Sequence, residues 1–164
     1  MSERTMKIKL FSVLLLIVGF TINGSALHAA NNKDNLKGAK WVAQQDLTYP
    51  ARKSTVYVQD GSIVTKAKNG DRYHAYCAVV SNKKKDQALT IIKNSVFQIV
   101  NMQYDSIAHN DYTYVYKTIM KVTSEKHPAV TSIECGFFGD QTEKYLTVQE
   151  MQKTMTGVFT LEMK

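Results

Sequence analysis

Two cysteines, each inside a short apolar run, constrain the fold of this chain more than any other feature. Cys77 lies in the sequence YHAYCAVV, and Cys135 lies in SIECGFF. Such a pair can form a disulfide, belong to a metal or redox site, or remain as two inert buried thiols. A disulfide would close a loop of about 58 residues, which the loop-entropy model values at roughly 4 kcal/mol. It would also tie the middle of the chain to its C-terminal third.

The first thirty residues bear on this choice, because they have the layout of a secretory signal peptide. Basic residues precede an apolar stretch from Leu10 to Ile22, and small residues follow up to Ala30. A helix of this length spans about 20 Å. A bilayer core is about 30 Å thick, so a cleaved signal is favoured over a membrane anchor. Cleavage after Ala29, cleavage after Ala30 and retention of the segment all stay open, because neither site has a small residue three positions before the cut.

Export sets the chemistry expected of the cysteines. In an oxidising compartment two cysteines tend to pair. A zinc site needs four nitrogen or sulfur ligands, and the chain has no C-x-x-C motif and no histidines at ligand spacing. We therefore expect a Cys77–Cys135 disulfide, with inert thiols as the alternative. We expect no metal site and no cofactor.

The length and charge after cleavage fit one moderately basic domain. Removal of residues 1–30 leaves roughly 134 residues, which is enough for one hydrophobic core. We expect residues 31–40 to be a flexible lead-in and residues 41–164 to be a single β-rich domain. Cleavage lowers the formal net charge of +7 by two. The remaining charge suits contact with anionic polymers or lipid headgroups, although a solvated lysine-rich surface, including the run at 83–85, is the simpler interpretation.

Two-residue turn signals, Asp-Gly and Asn-Gly, divide residues 55–80 into three β-branched and aromatic runs. We predict a three-stranded meander with strands at about 55–59, 62–68 and 71–80. This register places Cys77 opposite Ser62 and leaves both faces of the sheet apolar. The sequence therefore does not decide which face is the core. Burial on both faces favours a small barrel or a sheet with a helix across it.

The following segment alternates between strand and turn signals. Residues 83–95 are a weak helix candidate, with a loop as the alternative, and residues 106–111 resemble a turn. The predicted strands, of which the last two fit an antiparallel hairpin, are at about 96–104, 112–122 and 130–139.

The C-terminus carries the clearest helix signal. Thr147 and Glu150 have the spacing of a capping box, and Gly157 lies where a C-cap glycine belongs. We predict a helix at about 148–156. A final strand should then turn three side chains inward: Phe159, Leu161 and Met163. The fold class is α+β and mainly antiparallel β, a meander sheet or small barrel-like body with one or two short helices.

No catalytic motif emerges from the chain. G-x-S-x-G, Walker, G-x-G-x-x-G and H-E-x-x-H motifs do not occur. His74 and Asp71 together have the residue types of a base and its orienting group, and His109 lies in a polar turn. A solvent-facing strand histidine and an ordinary turn explain them more simply. We predict no catalytic residues and no enzymatic activity, with a small hydrolase as an alternative.

Alternating tyrosines are the main candidate binding feature. Tyr112, Tyr114 and Tyr116 share one face of a predicted strand, and Lys117 follows them. Exposed rings in a row, flanked by lysines, can stack on sugars or bases. Tyrosines closing over the edge of a core are the simpler interpretation. These four residues are the candidate ligand-binding set.

Taken together, these features predict an exported, non-enzymatic envelope protein, periplasmic or secreted, that acts in binding or assembly. It is expected to be an accessory subunit of a surface or secretion complex, with another envelope protein as its partner. The first alternative is a binder of an anionic or carbohydrate polymer through the tyrosine and lysine surface. Nucleic acid is not an expected partner. Membrane contact is expected only through an uncleaved signal segment.

Overall fold

The computed structural model describes residues 36–64, 74–110, 113–139 and 145–164, with the backbone alone at 109–110. The predicted signal peptide at 1–30 lies outside these residues. The described elements, in chain order, are β1 (Lys40–Ala43), β2 (Leu47–Thr48), β3 (Thr55–Gln59), β4 (Ser62–Val64), β5 (Tyr76–Ser81), β6 (Thr90–Ile91), β7 (Val96–Asn110), β8 (Thr113–Thr123), β9 (Val130–Gly139), α1 (Val148–Met155) and β10 (Phe159–Glu162).

Eight of the described strands form one antiparallel sheet in the order β10-β1-β7-β8-β9-β5-β3-β4, and β2 pairs separately with β6. The sheet curls into a half-barrel, which confirms the predicted fold class. Helix α1 packs against β10 near one end of the sheet and against β5 and β3 near the other. It therefore lies across the opening of the curl, and its buried Met151 and Met155 join the core.

The Cys77–Cys135 disulfide is confirmed, and it lies at the centre of the sheet. The two residues are direct cross-strand partners on β5 and β9, with their Cα atoms 4.0 Å apart. Because the strands are antiparallel and in register here, the two side chains emerge on the same face. The bridge therefore joins neighbouring strands that are 58 residues apart in sequence.

The predicted pairing of the third strand is wrong. β5 pairs with β3 and β9, so Cys77 lies opposite Val58 and Cys135 rather than opposite Ser62. The two apolar faces of β5 explain this position, because a strand buried on both faces belongs inside a sheet. β4 carries exposed side chains at Ser62 and Ile63, and among the described strands it forms the edge.

The core occupies the face that carries Cys77, which resolves the question left open by the alternation. This face also holds the largest fully buried side chains, including Trp41, Phe97 and Met120. The opposite face is partly buried as well, since Tyr76 and Ala78 are almost inaccessible. Leu36 and Ala39, in the segment predicted as a lead-in, are also buried in the core.

Three further predictions differ from the observed elements. The turn predicted at 106–111 is wrong up to Asn110, because β7 continues to that residue and pairs along β8 to Thr113. Cross-strand pairing overrides the weak local turn preference of this segment. The helix candidate at 83–95 contains no helix, and Ile91 instead enters the β2–β6 pair. Met163 is exposed, because β10 ends at Glu162.

The C-terminal helix and its caps agree with the sequence prediction. The Thr147 hydroxyl accepts from the Glu150 amide, and the Glu150 carboxylate accepts from the Thr147 amide at 2.7 Å. Gly157 adopts a φ of 77°, the left-handed conformation expected after a helix. The Asp-Gly turn between β3 and β4 also forms, and the Gly61 amide donates to the Thr154 carbonyl at 3.0 Å. The β3–β4 turn is thereby anchored to the end of α1.

Candidate functional site: an aromatic cluster, an outer cleft and a basic two-loop surface

Two tyrosines of the predicted stripe, Tyr114 and Tyr116, belong to an aromatic cluster on the core face. Tyr116 is buried and stacks on Phe137, with ring centroids 5.8 Å apart. Tyr145 meets Tyr116 edge to face at 5.7 Å and Tyr104 at 5.0 Å. These contacts make the cluster a packed extension of the core towards the turn that joins β7 to β8.

Tyr114 is the member of the stripe that is accessible to a ligand. It is half-buried, and its ring centroid lies 6.1 Å from that of Tyr116. Tyr112 lies outside the described residues. The row of rings predicted from the sequence therefore contains one accessible ring among the residues that the structure describes.

Lys117 lies on the opposite face of β8 from these rings. Its Nζ is 4.0 Å from the Glu134 carboxylate on β9, and both side chains are about three-quarters buried. Tyr76 on β5 lies near the same carboxylate, and burial, with smaller contributions from Tyr57 and Glu134, raises the pKa of Tyr76 to about 12. On this face of the sheet, opposite to the core, Lys117 and Tyr76 of β5 therefore both lie near Glu134, and the stripe did not include Tyr76.

Of the two histidines singled out in the sequence, the structure describes the side chain of His74. The His74 Nδ1 lies 3.2 Å from the Asp60 carboxylate at the surface. Asp71, its predicted partner, lies outside the described residues, as does the side chain of His109. No group of three or more metal-binding side chains occurs among the described residues.

A serine–histidine pair that the sequence analysis missed lies beneath the surface at the start of β7. The Ser95 hydroxyl donates to the Ile92 carbonyl at 2.6 Å, so it accepts from the His127 Nε2–H at 2.7 Å. The His127 ring also stacks on Phe97. Burial, and then the nearby Lys126 charge, lowers the pKa of His127. The serine–histidine hydrogen bond links the β8–β9 loop to the residue before β7. The hydroxyl proton is donated to a backbone carbonyl and is therefore not shared with the histidine.

An open cleft of about 560 Å³ lies between the start of β7 and the residues that follow β8. Most of its lining side chains are polar or charged: Lys40, Asn94, Gln98, Glu125 and Lys126. Cations and a carboxylate are both present, so the cleft has no single dominant sign of charge.

The strongest concentration of charge comes from two loops that the strand pairing brings together. The loop at 50–54 joins β2 to β3, and the loop at 82–89 joins β5 to β6. Because β2 pairs with β6 and β3 pairs with β5, the two connections run side by side. We call their basic residues the two-loop basic surface: Arg52, Lys53, Lys83, Lys84 and Lys85.

The sequence signal for this surface was incomplete. The run at 83–85 is obvious, but Arg52 and Lys53 are an ordinary pair of basic residues on their own. Their proximity depends on the β2–β6 pair, whose strands have only two residues each. Strands this short have no recognisable periodicity.

In the described part of the chain, no helix combines the length and the apolar character needed to cross a membrane. Comparison of the chain with protein-family models, with curated proteins and with solved structures gives no significant match in any of the three.

Proposed function

We propose that this protein is exported and acts as a non-enzymatic binding or assembly component of the cell envelope, periplasmic or secreted. The observation that carries the proposal is the Cys77–Cys135 disulfide, because such bonds persist in oxidising compartments. The signal-peptide layout of residues 1–30 supports the same compartment. The partner proposed is another envelope protein, with this chain as an accessory subunit.

Exposed apolar side chains along β7 support a protein partner. Val96, Val100 and Ile107 are each between 40% and 47% exposed and are spaced along one strand. They lie apart along the strand, so the proposed partner would run along β7 to contact all three.

The histidine geometry supports a non-catalytic role. The Ser95 hydroxyl donates to a backbone carbonyl and is fully buried, so it is not activated as a nucleophile. His74 pairs with a surface carboxylate. The first arrangement is that of a structural histidine, and the second links the β3–β4 turn to the residues before β5.

Affinity purification from the native envelope tests the proposal. Tagged protein is isolated from envelope and cytosolic fractions, and co-purifying proteins are identified by mass spectrometry. We expect an envelope protein at a near-stoichiometric level, and its loss in the V100T/I107T variant. The M163T variant is the matched control, because Met163 is equally exposed but lies beyond β10. Recovery of the protein only from the cytosol would overturn the proposal.

A second candidate function is binding of an anionic or carbohydrate polymer through the predicted tyrosine surface. The accessible ring of Tyr114 favours it, whereas Tyr116 is packed in the aromatic cluster and Lys117 lies on the other face of β8. Purified protein would be retained on a polysaccharide column, and the Y114A variant would elute earlier, with K117A as the control that elutes with wild type. Retention of Y114A at the wild-type salt concentration would contradict this function.

A further inference from the structure

The two loops of the two-loop basic surface are fixed to each other by backbone hydrogen bonds. The Arg52 amide donates to the Lys85 carbonyl at 3.1 Å, and at the base of the loops the Ser81 amide donates to the Ser54 carbonyl at 2.8 Å. The basic residues of both loops are therefore held at fixed positions relative to one another.

Each loop is also a closed turn. The Lys53 amide donates to the Pro50 carbonyl, and the Gln87 amide donates to the Lys84 carbonyl, both at 3.1 Å. The Lys83 ammonium donates to the Gln87 carbonyl at 2.8 Å and clamps the second turn. Less conformational entropy is lost on binding when the binding groups stand on preformed turns.

Among the residues that the structure describes, the charge of this surface is largely unneutralised. Asp86 is the acidic residue of the two loops, and its carboxylate lies 3.9 Å from the Arg52 Nε. Both side chains are more than four-fifths exposed, so the pair is weak. Five basic residues thus face one carboxylate over two adjacent turns, which is a much higher charge density than that of the whole chain.

We propose that the two-loop basic surface binds an anionic polysaccharide of the envelope through its sulfate, phosphate or carboxylate groups. The inference rests on the proposed export and assigns to the exported protein a polymer partner at a site distinct from the tyrosine stripe. A polymer carries repeated charges, so one chain can contact both loops at once and release counterions from each contact.

The composition of the loops favours a polymer over a lipid surface. The sequences PARKS and NKKKDQAL contain one large apolar side chain, Leu89, and it is partly buried against the core. Proteins that bind membranes peripherally combine cations with apolar side chains that insert between the lipids. The two-loop basic surface offers cations alone.

The test measures affinity of the purified mature protein for heparin as a sulfated polysaccharide probe, at several salt concentrations. The R52Q/K53Q/K84Q/K85Q variant removes four charges from the surface. The K37Q/K93Q/K121Q/K164Q variant removes four exposed lysines from elsewhere and has the same net charge. We expect the first variant to lose at least about tenfold in affinity and to show a shallower salt dependence, with the control losing less than about threefold.

Vesicles of phosphatidylglycerol and phosphatidylcholine provide the second probe. We expect no binding to them at the salt concentration where heparin is bound. Equal losses in the two variants would overturn the proposal, because binding would then follow net charge alone. Binding to the vesicles but not to heparin, or to neither probe, would also overturn it.

The surface and the proposed function can fail separately. The R52Q/K53Q/K84Q/K85Q variant should still be exported, oxidised and co-purified with the protein partner of β7. The wild-type protein could bind heparin through the two loops and yet remain reduced in the cytosol. That result would overturn the proposal of export and would leave the binding surface established.

Discussion

The centre of the sheet and the two-loop basic surface are both assembled from distant segments, but different forces hold them. At the centre, Cys77 and Cys135 are joined covalently and surrounded by fully buried side chains. In the two loops, backbone hydrogen bonds fix the turns while the charged side chains remain in water. The difference shows that the packed core and the exposed basic residues, at which we propose polymer binding, are separate parts of the molecule. Substitutions in one part should therefore leave the property of the other unchanged.

Removal of the disulfide should have the largest effect on the central region. The Cys77→Ala/Cys135→Ala variant should lose up to about 4 kcal/mol of unfolding free energy, because its unfolded chain regains the freedom of the closed loop. Urea unfolding followed by the fluorescence of Trp41, the single tryptophan, measures the loss. Reduced wild type is the control and should unfold with the variant. Identical urea midpoints for oxidised wild type and the variant would contradict the prediction.

The next largest loss of unfolding free energy is expected where β9 packs closely against β8. A Cβ at Gly136 would lie 2.5 Å from the Tyr116 carbonyl oxygen, so Gly136→Ala should cost about 2–3 kcal/mol by overpacking. Gly157→Ala is the matched control, because its Cβ meets nothing within 4 Å and only the positive φ is strained, which costs about 1 kcal/mol. Thermal and urea unfolding give both values. An equal cost at the two positions would show that the strand contact is looser than described.

Substitution of Thr118 should increase the unfolding free energy, by less than the losses above. Its hydroxyl is fully buried opposite Cys135 and has no hydrogen-bond partner among the described residues. Thr118→Val keeps the shape and removes the orphaned group, so it should stabilise the fold by about 1 kcal/mol. Thr154→Val is the control, because that hydroxyl donates to the Glu150 carbonyl and its removal should not stabilise. Destabilisation by Thr118→Val would mean that the hydroxyl is bound.

The unfolding free energy is expected to depend on pH through His127, which packs at the edge of the core. Burial lowers the pKa of His127 in the folded state, so below its ordinary pKa of 6.5 the unfolded chain binds the proton more strongly than the folded chain. The unfolding free energy should therefore fall as the pH decreases from 7 to 5. The His127→Gln variant should show a shallower fall, as measured by urea unfolding at several pH values. Parallel curves for the two proteins would exclude His127 as a source of the dependence.

The smallest change in unfolding free energy is expected from substitutions in the two-loop basic surface. The R52Q/K53Q/K84Q/K85Q variant should unfold within about 0.5 kcal/mol of wild type, since these side chains contribute little packing. Urea unfolding at moderate salt measures this. A loss of unfolding free energy comparable to that expected for Gly136→Ala would mean that the side chains of the two loops support the fold. That result would contradict the separation of the two regions.

Features with a local or chemical cause could be predicted from the sequence. The C-terminal helix followed from Thr147 and Glu150, whose side chains cap neighbouring amides. The disulfide followed from the predicted signal peptide together with two cysteines that lack other ligands in the sequence. Neither inference required knowledge of the strand order.

Features that depend on strand order could not be predicted. Cys77 was expected opposite Ser62, because a meander is the simplest path through two turns. Burial of Tyr116 depends on Phe137 and Tyr145, which approach from other segments. The two-loop basic surface depends on two pairings, one of them between two-residue strands.

Intact mass spectrometry of the protein as it exists in its cell tests the central claim most directly. Cells are treated with iodoacetamide before lysis, and the protein is isolated from the envelope or medium. We predict a single species that lacks the N-terminal segment, carries no alkylated cysteine and is two hydrogen atoms lighter than the reduced chain. A full-length cytosolic species with two alkylated cysteines would contradict the account.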